Sequence, residues 1–369
     1  MHSTHLRQEH IHGNLLGVAI GDALGAGRVG LSRRQLLRLR GGRRPLKYFF
    51  LPGRGIYGEA TRLTMLCGQA LLNSRSDSGC FKRAFQSRLS WYPFSLPIGA
   101  PSSTLIPALR AWGSFLRRVQ TGINVDDGYA APRAILSTLT IRGTGHRLVK
   151  WIDSSTRITH TNTDALDCCR VIATIADAGI SVRPGSLDVH KTLEAAIAVS
   201  QQPEMQDKLR DLGPLLKSGR SPAAVARKFG WGRGVPGKSV PLAIMSAYCW
   251  LRSPEDFERV VTNAIQLGGK VDLLGAIAGG LCGAHVGQKS IPDRLRSQLG
   301  GYPHGQRWIE NMAERFSHWP HGMEDLHRAP AQSSDPLMQI VRNCSRLPAS
   351  VLCALRRQRY RLLTSSARR

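Results

Sequence analysis

Apolar residues along the chain recur at helical spacing, while strict alternation of apolar with polar residues is scarce. TRLTMLCGQALL from Thr61, TNTDALDCCRVIATIADAGI from Thr161, TLEAAIAV from Thr192, KSVPLAIMSAYCWL from Lys238 and EDFERVVTNAIQL from Glu255 all follow this spacing. Glycine and proline clusters punctuate them, so the pattern predicts an all-α fold with many loops. Two further stretches carry a different signal. HGNLLGVAIGDALGAG places Gly13, Gly17, Gly21 and Gly25 at every fourth position, and LGAIAGGLCGAHVG does the same with Gly275, Gly279, Gly283 and Gly287. A helix face stripped to glycine lets another backbone come unusually close, so the two stretches are expected to pack tightly and to present their ends to a shared pocket.

With 369 residues and 42% hydrophobic content the chain buries an ample core. The expected organisation is a flexible arm over residues 1–9, one domain over 10–318 and a basic extension over 319–369. The arm holds His2 and His5, with His10 and His12 just beyond; their loose spacing allows adventitious metal binding, but a disordered N-terminal arm is the preferred reading.

Charge narrows the partners. The formal net charge is +26, from 51 Lys+Arg against 25 Asp+Glu, which favours anionic partners such as nucleotides, nucleic acid, acidic protein or phospholipid. Between Asp22 and Glu59 there is no acid, while Arg28, Arg33, Arg34, Arg38, Arg40, Arg43, Arg44, Lys47 and Arg54 accumulate. The closing VLCALRRQRYRLLTSSARR reads as a solvated terminal helix in preference to a surface-binding one. The eight cysteines form no CxxC pair and read as buried thiols of a reducing compartment. Asp22 interrupts the apolar N-terminal run and no uncharged stretch reaches the length of a membrane span, so a soluble cytoplasmic protein is expected.

Five segments belong together. Gly21-Asp22-Ala23-Leu24-Gly25 lies on the first glycine face; Glu59 and Thr61 stand in the first turn of a helix after Gly58; Ala130-Ala131-Pro132-Arg133 is a small-residue segment; Thr159-His160 precedes another helix start; and Gly268-Gly269-Lys270-Val271-Asp272 opens the second glycine helix, which closes on Ile291-Pro292. On these residues the chain resembles the ADP-ribosylglycohydrolase family, relatives of the dinitrogenase-reductase-activating glycohydrolase, over roughly residues 10–318. GDALG matches in full, Thr159-His160 matches a Thr-His step, Ala-Ala-Met-Arg appears with Pro132 for methionine, and Gly-Gly-Asp-Thr-Asp-Thr lies over Gly268 to Leu273.

The resemblance implies an all-α protein that binds two magnesium or manganese ions and hydrolyses the bond between ADP-ribose and a protein side chain or other acceptor. Hard dications want about six oxygen ligands each, hence the family's crowd of Asp and Thr. Here the metal motif Thr-Asp-Asp-Thr falls on Gly58, Glu59, Ala60 and Thr61, Lys270 replaces one aspartate, Leu273 replaces a threonine, and Val29 stands where an acid is usual. Only Glu59 and Asp272 keep a carboxylate of the expected ligands, so no metal cofactor is expected. The ammonium of Lys270 is expected to replace metal charge and to pair with Glu59 and Asp272; a plain surface lysine and a catalytic lysine are the competing readings. Asp22, Thr61, Arg133, His160, Gly268 and Gly269 are the candidate ligand-binding residues, with His160 read as structural in preference to a general base and Asp126-Asp127 read as a turn.

The expected function is therefore that of a catalytically degenerate homologue that binds ADP-ribose or a related anionic nucleotide without metal. The alternatives are a divergent hydrolase using Glu59, Asp272 and His160, and a structural or nucleic-acid-associated protein acting through its basic segments. The sequence leaves the oligomeric state open.

Overall fold

A computed structural model describes residues 2–38, 46–48, 53–74, 77–95, 101–113, 120–141, 145–300 and 305–317, with single positions at 340, 344, 351 and 358. Among the described residues there is no strand, only isolated bridges between loops. The expected all-α fold is what the chain adopts.

The helices are α1 (His2–Ala26), α2 (Arg33–Arg38), α3 (Glu59–Leu72), α4 (Ser78–Ser90), α5 (Ser102–Gly113), α6 (Ala131–Ile141), α7 (His146–Thr156) and α8 (Thr163–Ile180). They continue as α9 (Val189–Val199), α10 (Pro203–Lys217), α11 (Pro222–Lys228), α12 (Ser239–Leu251), α13 (Phe257–Ile265), α14 (Val271–Val286), α15 (Asp293–Ser297) and α16 (Gln306–Ser317). Each apolar stripe read from the sequence became a helix, and three of these helices are capped by the residue just ahead of them. Asn162 caps α8 by accepting from the backbone of Asp164 and Ala165, Asp188 caps α9 and Asp256 caps α13.

The centre is the antiparallel pair α1 and α14, around which α3, α6, α8, α12, α13 and α16 pack. Their contact is backbone on backbone. A Cβ at Gly17 would overlap the carbonyl of Gly279, one at Gly21 that of Gly275, and one at Gly13 that of Gly283. The reverse substitutions at Gly275, Gly279 and Gly283 meet the same backbone from the other side. Gly287, expected to continue the stripe, instead ends α14 with φ of 73°, a left-handed conformation that glycine adopts without steric cost.

The structure continues α1 through residues 2–9, which were expected as a flexible arm. Glu9 pairs with Lys289 at 2.6 Å, His10 donates from Nδ1 to the Ala284 carbonyl at 2.6 Å, and His12 is buried, so this end of α1 is tied down beyond the glycines. The basic extension from 319 lies outside the described residues apart from single positions, as do Arg40, Arg43 and Arg44 of the basic segment. No helix among the described residues is long and apolar enough to cross a membrane. Cys67, Cys168, Cys169, Cys249 and Cys282 are buried free thiols.

Candidate functional site

Where the glycine seam opens, the starts of α3 and α14 face one another across the end of α1. Asp22 sits there, 1% exposed. Its Oδ2 accepts the Thr61 backbone N–H at 3.0 Å and the Thr61 hydroxyl at 2.8 Å. Thr61 is the third residue of α3, so its N–H is one of the donors a helix start leaves unsatisfied. Gly58 at the N-cap has no side chain to accept it, and Asp22 supplies the cap from a different helix. A Cβ at position 58 would stand 2.8 Å from Asp22 Oδ1, so the glycine also leaves the carboxylate its room.

Glu59 opens α3, where the helix dipole favours an acid. Its carboxylate pairs with Arg62 at 2.8 Å, one turn along the same helix, and accepts the Tyr92 hydroxyl. The Arg62 guanidinium stands 4.7 Å over the Tyr92 ring. The expected pairing of Glu59 with Lys270 is thus replaced by a local one, because an i,i+3 partner needs no long-range geometry.

The other half of that expectation is present. Lys270 Nζ lies 2.9 Å from Asp272 Oδ2 and 2.8 Å from the Tyr129 hydroxyl, and it also stands 5.0 Å from the centre of the Tyr129 ring. Asp272 occupies the first turn of α14, and its second oxygen, Oδ1, is buried without a partner. Tyr129 is surrounded by acids. Burial first, then Asp272, Asp22, Glu59 and Asp127, push its hydroxyl far above the ordinary range, so it stays a neutral phenol in the middle of the cluster.

Gly268 and Gly269 hold this lysine in place. Both have positive φ, 80° and 83°. Gly269 N–H donates to the Leu31 carbonyl at 2.9 Å, Lys270 N–H to Val235 at 2.9 Å, and the Gly268 and Gly269 carbonyls accept from Val235 and Gly30. Expected as ligand-binding residues, the two glycines have their backbone groups engaged in clamping the loop between two others.

Behind Tyr129 lies a second network. His160, 0% exposed, puts Nε2 2.8 Å from Asp127 Oδ1 and Nδ1 2.7 Å from the Thr159 hydroxyl. Burial holds the imidazole below its ordinary value in spite of Asp127. Burial pushes the Asp127 carboxyl up, yet the hydrogen bonds and charge of His160 with those from its neighbours bring it below the usual range. With both nitrogens engaged and no exposure, His160 has the structural geometry, not that of a general base. The Asp126-Asp127 pair does more than turn the chain. Asp127 accepts the Tyr129 N–H at 3.1 Å, and Asp126 accepts the Ser239 N–H at the start of α12 at 2.9 Å.

Arg133, expected to line the pocket, lies in the core at 1% exposure. Its Nη2 donates to the Thr159 hydroxyl and to the Ser155 and Thr156 carbonyls, fastening the end of α7, and its guanidinium sits 5.3 Å from the Phe85 ring. Pro132 fits in the first turn of α6, where a missing N–H costs nothing.

The donor set does not suit two hard dications. Asp22 is engaged by Thr61, Glu59 by Arg62 and Tyr92, and Asp272 by Lys270. An ammonium 4 Å from a single positive charge is repelled by about 4 kcal/mol at an effective dielectric near 20, and a dication doubles that. Among the described residues no three His, Cys, Asp or Glu side chains gather as a metal site. Tyr129, Asp127, Arg62 and Tyr92 were missed by the sequence reading. Only Tyr129 and Arg62 carried a signal there, the first by adjoining the small-residue segment and the second by standing three residues after Glu59.

A helical protein built round a glycine-faced pair, with its polar cluster at the starts of helices, is the class these features define. The sequence matches the ADP-ribosylglycohydrolase family model over residues 3–325, and the chain belongs to that family. A solved structure described as an ADP-ribosylglycohydrolase-related protein complex is similar with a TM-score of 0.63 at 21% identity, covering 85% of this chain and 98% of that one, a likeness of fold. No curated protein matches the sequence.

Proposed function

We propose that this chain binds ADP-ribose or a closely related anionic nucleotide in the cluster at Lys270, without a binuclear metal centre and without turnover. The observation that carries the reading is the pair formed by Lys270 and Asp272. The ammonium has three protons and donates to Tyr129 and Asp272, which leaves one for a ligand oxygen, and Asp272 Oδ1 is a buried acceptor with none. A ribose diol offers one oxygen to accept and one hydroxyl to donate, which answers both and removes the cost of an unmet buried acceptor. Membership of the family supports the ligand class, and the fixed cation in place of an acid supports metal independence.

A hydrolase would need a base able to take a proton from water. His160 is enclosed, Glu59 is held by Arg62 and Tyr92, and Asp272 is held by the ammonium of Lys270, which argues against that role for all three.

The test is a thermal-shift titration of the full chain with ADP-ribose, magnesium and manganese, separately and together. ADP-ribose alone is expected to raise the midpoint, with a stabilisation of about 2.7 kcal/mol at a hundredfold excess over Kd. The metals are expected neither to shift the midpoint nor to enhance the effect of ADP-ribose. A specific magnesium or manganese shift, or release of ADP-ribose from a modified protein, overturns the reading in favour of a divergent hydrolase.

A further inference from the structure

Sharing no lining residue with the Lys270 cluster, α9, α10, α12 and α13 flank a half-open cavity of about 450 Å³. That is within the size range of small-molecule sites. Its lining is divided in character. Leu193, Leu216 and Leu251 form an apolar wall, and Lys217, Arg252 and Arg259 supply charge, all of one sign.

The excess of cations is not the general basicity of the chain showing through. These helices are rich in acids, but the acids are engaged in pairs that leave Lys217, Arg252 and Arg259 alone. Glu204 pairs with Lys208, Asp207 with Arg210, Asp211 with Lys228, Glu258 with Arg294, and Glu194 with His190, the remaining basic residue of the lining. No acid lines the cavity, and Lys217 and Arg259 have no ion-pair partner among the described residues. Arg252 is positioned by donating to the Arg220 carbonyl at 2.6 Å, which also accepts the Tyr248 hydroxyl at 2.6 Å, so the α10–α11 loop and α12 are locked into one rim. Gly219, in that loop, has φ of 63° and open space where a Cβ would stand.

We propose that this cavity is a binding site for a small amphiphilic anion, a molecule with one carboxylate or phosphate head and an apolar body. The head pairs with Lys217 and Arg259 at the rim, and the body lies against Leu193, Leu216 and Leu251. The arrangement selects for both halves at once, because an apolar wall strengthens the charge interaction beside it and the unpaired cations disfavour a neutral occupant.

The experiment is calorimetric titration of the full chain with octanoate, octyl phosphate, octanol and acetate. At least one of the two long-chain anions is expected to bind at a single site, and comparing them tells which head the rim prefers. Octanol and acetate should bind at least about tenfold more weakly than that anion. The double variant Lys217→Ala/Arg259→Ala changes two exposed side chains and should lose about tenfold in affinity for the anion while its melting temperature stays that of the parent. Leu216→Asp, a partly exposed position, places an acid in the wall and should abolish binding. Octanol binding as tightly as octanoate, an unchanged affinity in the double variant, or no titratable binding of either long-chain anion overturns the proposal. ADP-ribose binding at Lys270 is expected to be indifferent to all these variants.

Discussion

The length and the start of helix α14 were built by opposite means. Along its length it meets α1 through glycines, backbone against backbone, with no side chain to choose a partner. At its start it presents Lys270 and Asp272 to Tyr129, a contact made wholly by side chains from distant parts of the chain. The first contact depends on one dimension only, the absence of a Cβ at a fixed spacing. The second depends on which donor reaches which acceptor, and there are several of each. A seam of the first kind tolerates almost nothing in its place, whereas a cluster of the second kind can exchange partners and keep the fold.

The largest expected effect comes from breaking the seam. Gly17→Val puts a branched side chain where even a single Cβ overlaps the Gly279 carbonyl, and neither backbone can move without displacing a helix. The loss should exceed about 3 kcal/mol, the upper range for overpacking, and the protein should fail to fold at ordinary temperature. Gly113→Ala is the control, since the end of α5 has open space at that position, and it should be neutral or slightly stabilising. Urea denaturation of the two variants checks the pair. A Gly17→Val protein as stable as the parent would show that the close approach is wrong.

Lys270→Met sharpens the comparison at the other end. It leaves Asp272 and Tyr129 without their shared cation in surroundings where the Asp272 side chain is 16% exposed. A loss of about 1–3 kcal/mol is expected, less than for a fully buried pair because Lys270 itself is 25% exposed. Replacing both, as Lys270→Met/Asp272→Leu, should recover part of it, since the unpaired acid goes too. An unchanged melting temperature in the single variant rejects the charge-replacement role. Asp22→Asn is a smaller perturbation. It keeps an acceptor for the Thr61 N–H but removes the charge at the start of α3, and about 0.5–1 kcal/mol should be lost on thermal denaturation.

The sequence made one of these regions legible and half of the other. Glycine at every fourth position is a complete statement of the α1–α14 contact, since spacing and the missing side chain are both written in one dimension. The apolar stripes were equally readable, because a helix's period is local. The pocket was different. Lys270 with Asp272 could be anticipated, being two residues apart at a helix start; Glu59 chose Arg62, which its i,i+3 spacing offered, and Tyr92, which nothing in the order of residues ranks above Lys270. Asp127 looked like an ordinary turn residue beside Gly128, and its role rests on His160, which the fold brings to it from 33 positions away. Arg133 carried the right family position, yet its side chain turned inward to the carbonyls ending α7, which no motif encodes.

The smallest expected effect is a dependence on pH, and it distinguishes the second network from the first. His160 is held below its ordinary value of 6.5, mainly by burial, so the unfolded chain takes up a proton before the folded one does. Its contribution to stability is therefore complete above about pH 6.5 and is lost as pH falls below that value. Asp127 acts in the same sense, but only below its ordinary 3.8, so it is silent near neutrality. His12 is also lowered by burial and adds a parallel slope. Between pH 7.5 and 5.5 the parent should lose on the order of 1 kcal/mol per buried neutral histidine. His160→Gln keeps a donor for Asp127 and removes one titration, so its stability should be lower at pH 7.5 and fall less steeply towards pH 5.5, with the His12 part of the slope remaining. Denaturation midpoints at both pH values measure this directly. Equal slopes in parent and variant would mean that His160 takes up its proton while folded, and that the space around it is open to water.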